Sequence, residues 1–120
     1  MLNLIPKPKF AEEKFGEFVI NSGTTLYADD SLTHARDVFN NLMEDVCGYK
    51  LPIVITKKAN IAFIYDRHIH KEGYVIDATV DNLIIKASTA VGAFYAVQSL
   101  RQLRNLPSEY RAPPKVEYLP

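Results

Sequence analysis

The chain has 120 residues, of which 48% are hydrophobic, enough for one domain with a single core. Its 14 basic and 14 acidic side chains cancel, which removes the charge excess that would hold a nucleic acid or an anionic membrane. No apolar run reaches the roughly 20 residues of a bilayer span, and the single cysteine, Cys47, excludes an internal disulfide and a zinc site built on paired thiolates.

Met1-Leu2-Asn3 opens into the Pro-rich segment Leu4-Ile5-Pro6-Lys7-Pro8-Lys9, not into a basic and then apolar leader, and the chain is expected to be soluble. Prolines lack N–H donors, so this segment reads as an extended lead-in. Phe18-Val19-Ile20 and Thr24-Thr25-Leu26-Tyr27 are β-prone runs. Asn21-Ser22-Gly23 between them suits a turn with positive φ, which predicts a hairpin or two neighbouring strands. Asp30 or Ser31 can then cap a helix on which Leu32, Ala35, Phe39, Leu42 and Val46 recur at helical spacing, ended by Gly48 as a left-handed cap. Its other face, Thr33, Arg36, Asp37, Asn40, Asn41 and Glu44, is expected in water.

Leu51 to Thr56, Asn60 to Tyr65, Gly73 to Thr79 and Leu83 to Ala87 have strand length and composition. The last two read as an antiparallel hairpin whose Tyr74, Ile76 and Ala78 face is covered by helices. A second helix starts at Thr89 as N-cap and buries Ala93, Ala96, Val97, Leu100 and Leu103 before Pro107 stops it, with Gly92 allowing close approach to the sheet. The fold expected is an α/β (α+β) two-layer sandwich, a mixed sheet of five or six strands with two main helices on one face. The domain spans 1–107, and the Pro- and charge-rich residues 108–120 read as a connection.

Few residues promise chemistry. His68 and His70 point the same way in an extended segment, with Asp66 or Glu72 within reach of a metal, but Asp66-Arg67-His68-Ile69-His70-Lys71-Glu72 reads better as a solvated turn. Ser88, Cys47 and His34 lie in no nucleophile motif, and Cys47 reads as a buried apolar residue. The scattered glycines form no phosphate loop. The adjacent acidic pairs Glu12-Glu13, Asp29-Asp30 and Glu44-Asp45 are explained by solvation or, for Asp29-Asp30, by a helix dipole. The seven tyrosines and six phenylalanines fall mostly on buried phases rather than on a sugar-stacking platform.

Three stretches carry a resemblance: Ile5-Pro6-Lys7-Pro8, Glu72-Gly73-Tyr74-Val75-Ile76, and the helix Ser88-Thr89-Ala90-Val91-Gly92-Ala93-Phe94-Tyr95-Ala96-Val97-Gln98-Ser99-Leu100-Arg101-Gln102-Leu103. Together they resemble the amino-terminal domain of glycoside hydrolase family 20, the β-N-acetylhexosaminidases. The resemblance implies a domain of zincin-like topology that buttresses a catalytic (β/α)8 barrel, in which an Asp-Glu pair assists attack by the substrate's own 2-acetamido group. Val116-Glu117-Tyr118-Leu119-Pro120 resembles the connection to that barrel. No catalytic, cofactor-binding or metal position is therefore carried onto this chain. The parent is expected in a periplasm or outside the cell. The isolated chain is expected to self-associate weakly through the face that the barrel would cover. A free-standing carbohydrate- or protein-binding module is the alternative.

Overall fold

The computed structural model describes residues 13–15, 18–103 and 115–118. Seven strands occur among them: β1 (Glu13–Phe15), β2 (Phe18–Ile20), β3 (Leu26–Ala28), β4 (Ile61–Tyr65), β5 (Tyr74–Ala78), β6 (Leu83–Ala87) and β7 (Lys115–Tyr118). A 3-10 turn, Asp30–Leu32, leads into α1 (Thr33–Cys47), and α2 (Ala90–Leu103) follows β6. A five-stranded sheet has the order β3-β4-β6-β5-β7, and β1-β2 form a separate antiparallel ribbon. β3, β4 and β6 run parallel, whereas β5 pairs antiparallel with both β6 and β7. The mixed α+β sandwich read from the sequence is therefore the architecture observed.

Period-two alternation aims one side of this sheet at the helices. Leu26, Ile61 and Leu83 lie in one cross-strand row, and Ala28, Phe63, Ile85 and Ile76 in the next. All seven are buried. Phe39 of α1 meets Phe63 edge-on, with centroids 6.0 Å apart, and Phe15 of the ribbon at 5.9 Å, so one ring joins helix, sheet and ribbon. The opposite side carries Ala62 buried, Tyr27, Ile64, Val75 and Ile84 half-buried, and Asp77 and Lys86 exposed.

α1 ends as its sequence demands. Gly48 has φ 88° and its N–H donates to the Glu44 carbonyl, a left-handed cap that costs a Cβ-bearing residue more. The solvent face is misread at one position: Asn40 is buried, at 5% exposure. Its Nδ2 donates to the Leu51 carbonyl (3.1 Å) and its Oδ1 accepts the Leu51 N–H (2.7 Å). That clamp also explains why Leu51 to Thr56 is no strand. Leu51 gives its backbone groups to a side chain, and Pro52 has no N–H to give. What remains is a single parallel bridge from Ile53 to Leu26.

The hairpin expected around Asn21-Ser22-Gly23 does not form either, since β2 pairs with β1 and β3 with β4. Asn21 closes the turn with its own side chain, Oδ1 accepting the Gly23 N–H at 2.9 Å, while its N–H donates to Thr24 Oγ1. Among the described residues Gly48 is the glycine with positive φ, so this turn uses none. β5 and β6 form the expected antiparallel pair, with Tyr74, Ile76 and Ala78 buried. The segment expected as a connection after residue 107 includes β7, which carries the sheet past that boundary because β5 offers it an open edge. The Pro-rich lead-in, Pro107 and the Leu103 side chain lie outside the described residues.

Candidate interaction surface

α2 is seated at its first turn. Thr89 Oγ1 accepts the Gly92 N–H at 3.1 Å, as an N-cap should, and donates to the Lys71 carbonyl. A Cβ on Gly92 would lie 2.3 Å from the Gly73 carbonyl oxygen, so only glycine lets the helix come this close to the start of β5. Further along, the Tyr74 and Ser99 hydroxyls hydrogen-bond each other across the helix–sheet boundary. Ala93, Ala96, Val97 and Leu100 form the inner face and are buried.

The outer face is where the helix departs from an ordinary amphipathic pattern. Val91, Phe94 and Tyr95 stand at 49%, 37% and 43% exposure, on one helical stripe. A groove between α1 and α2 runs beside it, floored by Val38, Leu42 and Val97 and edged by Asp45 on one helix and Arg101 on the other. Large apolar side chains also stand exposed at Ile53 and Ile55, beyond the edge strand β3. Sequence reasoning assigned α2 an inner face and passed over the outer one. The signal was present in the spacing 91, 94, 95.

A second cluster ties the ends of β3 and β4 together. Asp29 accepts the Tyr27 hydroxyl at 2.7 Å and the Tyr65 N–H at 2.7 Å, with Lys57 Nζ 4.0 Å away. Burial pushes the Asp29 carboxyl up, but the hydrogen bonds from Tyr27 and Tyr65 and the Lys57 charge outweigh it and hold the group below its ordinary value. The Tyr27 hydroxyl is pushed up, first by that same hydrogen bond. Asp29 stands at the N-cap of the 3-10 turn, where its side chain makes no cap hydrogen bond and braces two strands, contacts that the helix-dipole reading did not include.

The structure does not gather the other residues singled out from the sequence. His68 and His70 are exposed on the 66–73 loop, where Asp66 Oδ1 accepts the His68 N–H and His70 Nδ1 accepts the Glu72 N–H. Among the described residues no group of three or more His, Cys, Asp or Glu side chains could hold a metal. His34 and Cys47 sit at opposite ends of α1, about 20 Å apart along its axis, with His34 exposed and Cys47 buried. Glu44 and Asp45 are exposed, and the Glu12-Glu13 side chains lie outside the described residues. No helix among the described residues is long and apolar enough to cross a membrane.

The described residues thus form an α+β domain, a helical layer on a mixed sheet with an apolar stripe exposed on α2. The chain belongs to glycosyl hydrolase family 20, domain 2, whose pattern it matches over residues 1–114. Its fold is similar to part of the N-acetyl-β-hexosaminidase of Streptomyces plicatus, with 28% identity over 84% of this chain and 22% of that one, at a TM-score of 0.65. It is similar to the family 20 β-N-acetylhexosaminidase of Streptomyces coelicolor A3(2) at 28% identity, over 92% of this chain and 25% of that one, TM-score 0.70. The exo-β-N-acetylglucosaminidase of Vibrio harveyi shares the fold at 17% identity, over 95% of this chain and 17% of that one, TM-score 0.66. This chain therefore spans about a quarter or less of the length of these enzymes. No curated protein matches it in sequence.

Proposed function

We propose that the chain is the non-catalytic amino-terminal support domain of a β-N-acetylhexosaminidase, a parent enzyme that removes terminal N-acetylhexosamine and whose catalytic barrel docks on the outer face of α2. The observation that carries this reading is the family match over residues 1–114 in a chain that covers only 22% of the Streptomyces plicatus enzyme. The exposed stripe Val91, Phe94 and Tyr95 supports the docking face. Rings and branched side chains left in water are stabilised when a partner removes that area, at about 25 cal/mol per Å². The same reading gives the sheet and its two helices the zincin-like topology of the family, as a matter of chain path and not of metal chemistry.

The test is the reading frame beyond Pro120 together with an assay. An encoded barrel bearing an Asp-Glu pair, and no turnover of a chromogenic N-acetylglucosaminide by the 120-residue chain, is the expected result. Turnover by this chain alone would overturn it. A stop codon after Pro120 would favour a free-standing binding module, to be tested by titration with chitooligosaccharides.

A further inference from the structure

The 66–73 loop carries a device that neither the fold family nor the docking role requires. Four turns among the described residues close in the same way, a side-chain acceptor taking the N–H two residues ahead: Asn21 with Gly23, Thr56 with Lys58, Asp66 with His68, and His70 with Glu72. The first three acceptors are oxygens. The fourth is a ring nitrogen, His70 Nδ1, 3.1 Å from the Glu72 nitrogen. An imidazole nitrogen accepts a hydrogen bond only while it is unprotonated, and in the imidazolium both ring nitrogens are donors. Histidine is the side chain whose charge changes within the physiological range.

The geometry points to His70 as a proton-sensitive latch on the 66–73 loop. In the neutral ring, Nε2 carries the hydrogen and Nδ1 closes the turn over Glu72. When Nδ1 takes a proton from solvent, the Glu72 N–H loses its acceptor and faces a second donor, so the turn opens. What the turn holds is the seat of α2. The Gly73 N–H donates to the His70 carbonyl at 2.8 Å, the Thr89 hydroxyl donates to the Lys71 carbonyl, and Gly92 packs against the Gly73 carbonyl. Opening the turn therefore loosens the first turn of α2, where Val91 begins the exposed stripe.

The charged and titratable neighbours on the loop are Asp66, Arg67, His68, Lys71 and Glu72, all exposed except the half-buried Asp66. Tyr74 of β5 follows the loop directly, the Asp66 N–H donates to the Ala87 carbonyl of β6, whose one charged side chain is Lys86, and no charged side chain on α2 precedes Arg101. The latch is independent of the docking role, since it needs only the loop and the helix start.

The experiment is a titration of the 120-residue chain by 15N–1H correlation spectra between about pH 8 and pH 5, with the His70 ring followed alongside. The Glu72 amide is expected to shift with the same midpoint as the His70 ring. Its exchange protection, taken relative to the Ile69 amide in the same loop, falls several-fold on the acid side. His70→Asn offers an oxygen acceptor at the same reach, as Asn21 does, and is expected to hold the Glu72 amide unchanged across the range. Glu72→Gln removes that residue's own carboxylate and leaves the transition in place. A Glu72 amide that stays still while His70 titrates would overturn the latch, as would a His70→Asn chain that titrates like the parent.

Discussion

Asn40 is the position at which a conservative-looking change should do most harm. Its side chain satisfies both backbone groups of Leu51, and both residues are buried, at 5% and 3% exposure. Asn40→Ala removes two hydrogen bonds and leaves a buried N–H and a buried carbonyl without partners. At about 1–3 kcal/mol for each unsatisfied group, with no water able to replace the amide fully, the loss comes to about 3 kcal/mol. For a domain of this length a kilocalorie moves the midpoint by about 4 °C, so Tm should fall by roughly 12 °C. Thermal and urea unfolding followed by circular dichroism would measure both. Asn41→Ala, one residue on and exposed, is the control and should stay within about 0.5 kcal/mol of the parent. Asn40→Asp keeps the acceptor for the Leu51 N–H but turns a carboxylate towards the Leu51 carbonyl, so its deficit should grow as pH rises. An Asn40→Ala chain as stable as Asn41→Ala would refute the clamp.

Gly92→Ala drives a methyl group to within 2.3 Å of the Gly73 carbonyl oxygen, so it should cost at least about 2 kcal/mol or prevent folding, read from the same unfolding curves. Gly48→Ala meets no atom within 4 Å but must hold φ 88°, so its loss should be only about 1 kcal/mol, and Gly48→Asn should lose less. Asp29, held below its ordinary value when folded, contributes stability that is fully present above the ordinary carboxylate range and is lost as pH falls through the lowered value. Asp29→Asn should flatten that acid limb of a stability–pH curve. Phe94→Ser with Tyr95→Ser should lower stability, because more than half of each residue is covered in the fold, while abolishing any concentration-dependent association in sedimentation, and a parent chain that is monomeric at every concentration would count against the exposed stripe as a sticky face.

The elements legible in the sequence were those whose signals are local. Tyr74, Ile76 and Ala78 recur with period two, Gly48 stands two residues past Val46, the last periodic position of α1, and Thr89 precedes a run spaced for a helix, so each could be placed from its own neighbours. Pairing was not legible in the same way. Nothing within Phe18-Val19-Ile20 says that its partner precedes it in the chain, because a three-residue strand is chosen by the surface it completes. Leu51 to Thr56 has strand composition, yet a side chain eleven positions upstream satisfies the Leu51 backbone first. Asn40 was placed in water for the complementary reason: its polarity outweighed its neighbours Phe39 and Met43, and only the clamp makes its burial affordable. Asp29 was read through the helix it precedes, whereas the partner that lowers its carboxyl includes a backbone N–H 36 residues away.

The exposed stripe was readable, but only by asking of α2 what had been asked of α1. α1 is apolar on one side and carries Asp37, Asn41, Glu44 and Asp45 on the other, as a helix with one wet face should. The first two turns of α2 have no such face. Ala93, Ala96 and Val97 point inward, while Val91, Phe94 and Tyr95 point outward, and the first charged side chain is Arg101. A helix apolar on both sides belongs between two layers, and the sheet supplies only one. The proposed barrel would supply the second. A polar outer face made by substitution at Phe94 and Tyr95 should leave this domain folded, though less stable, and remove what rests upon it.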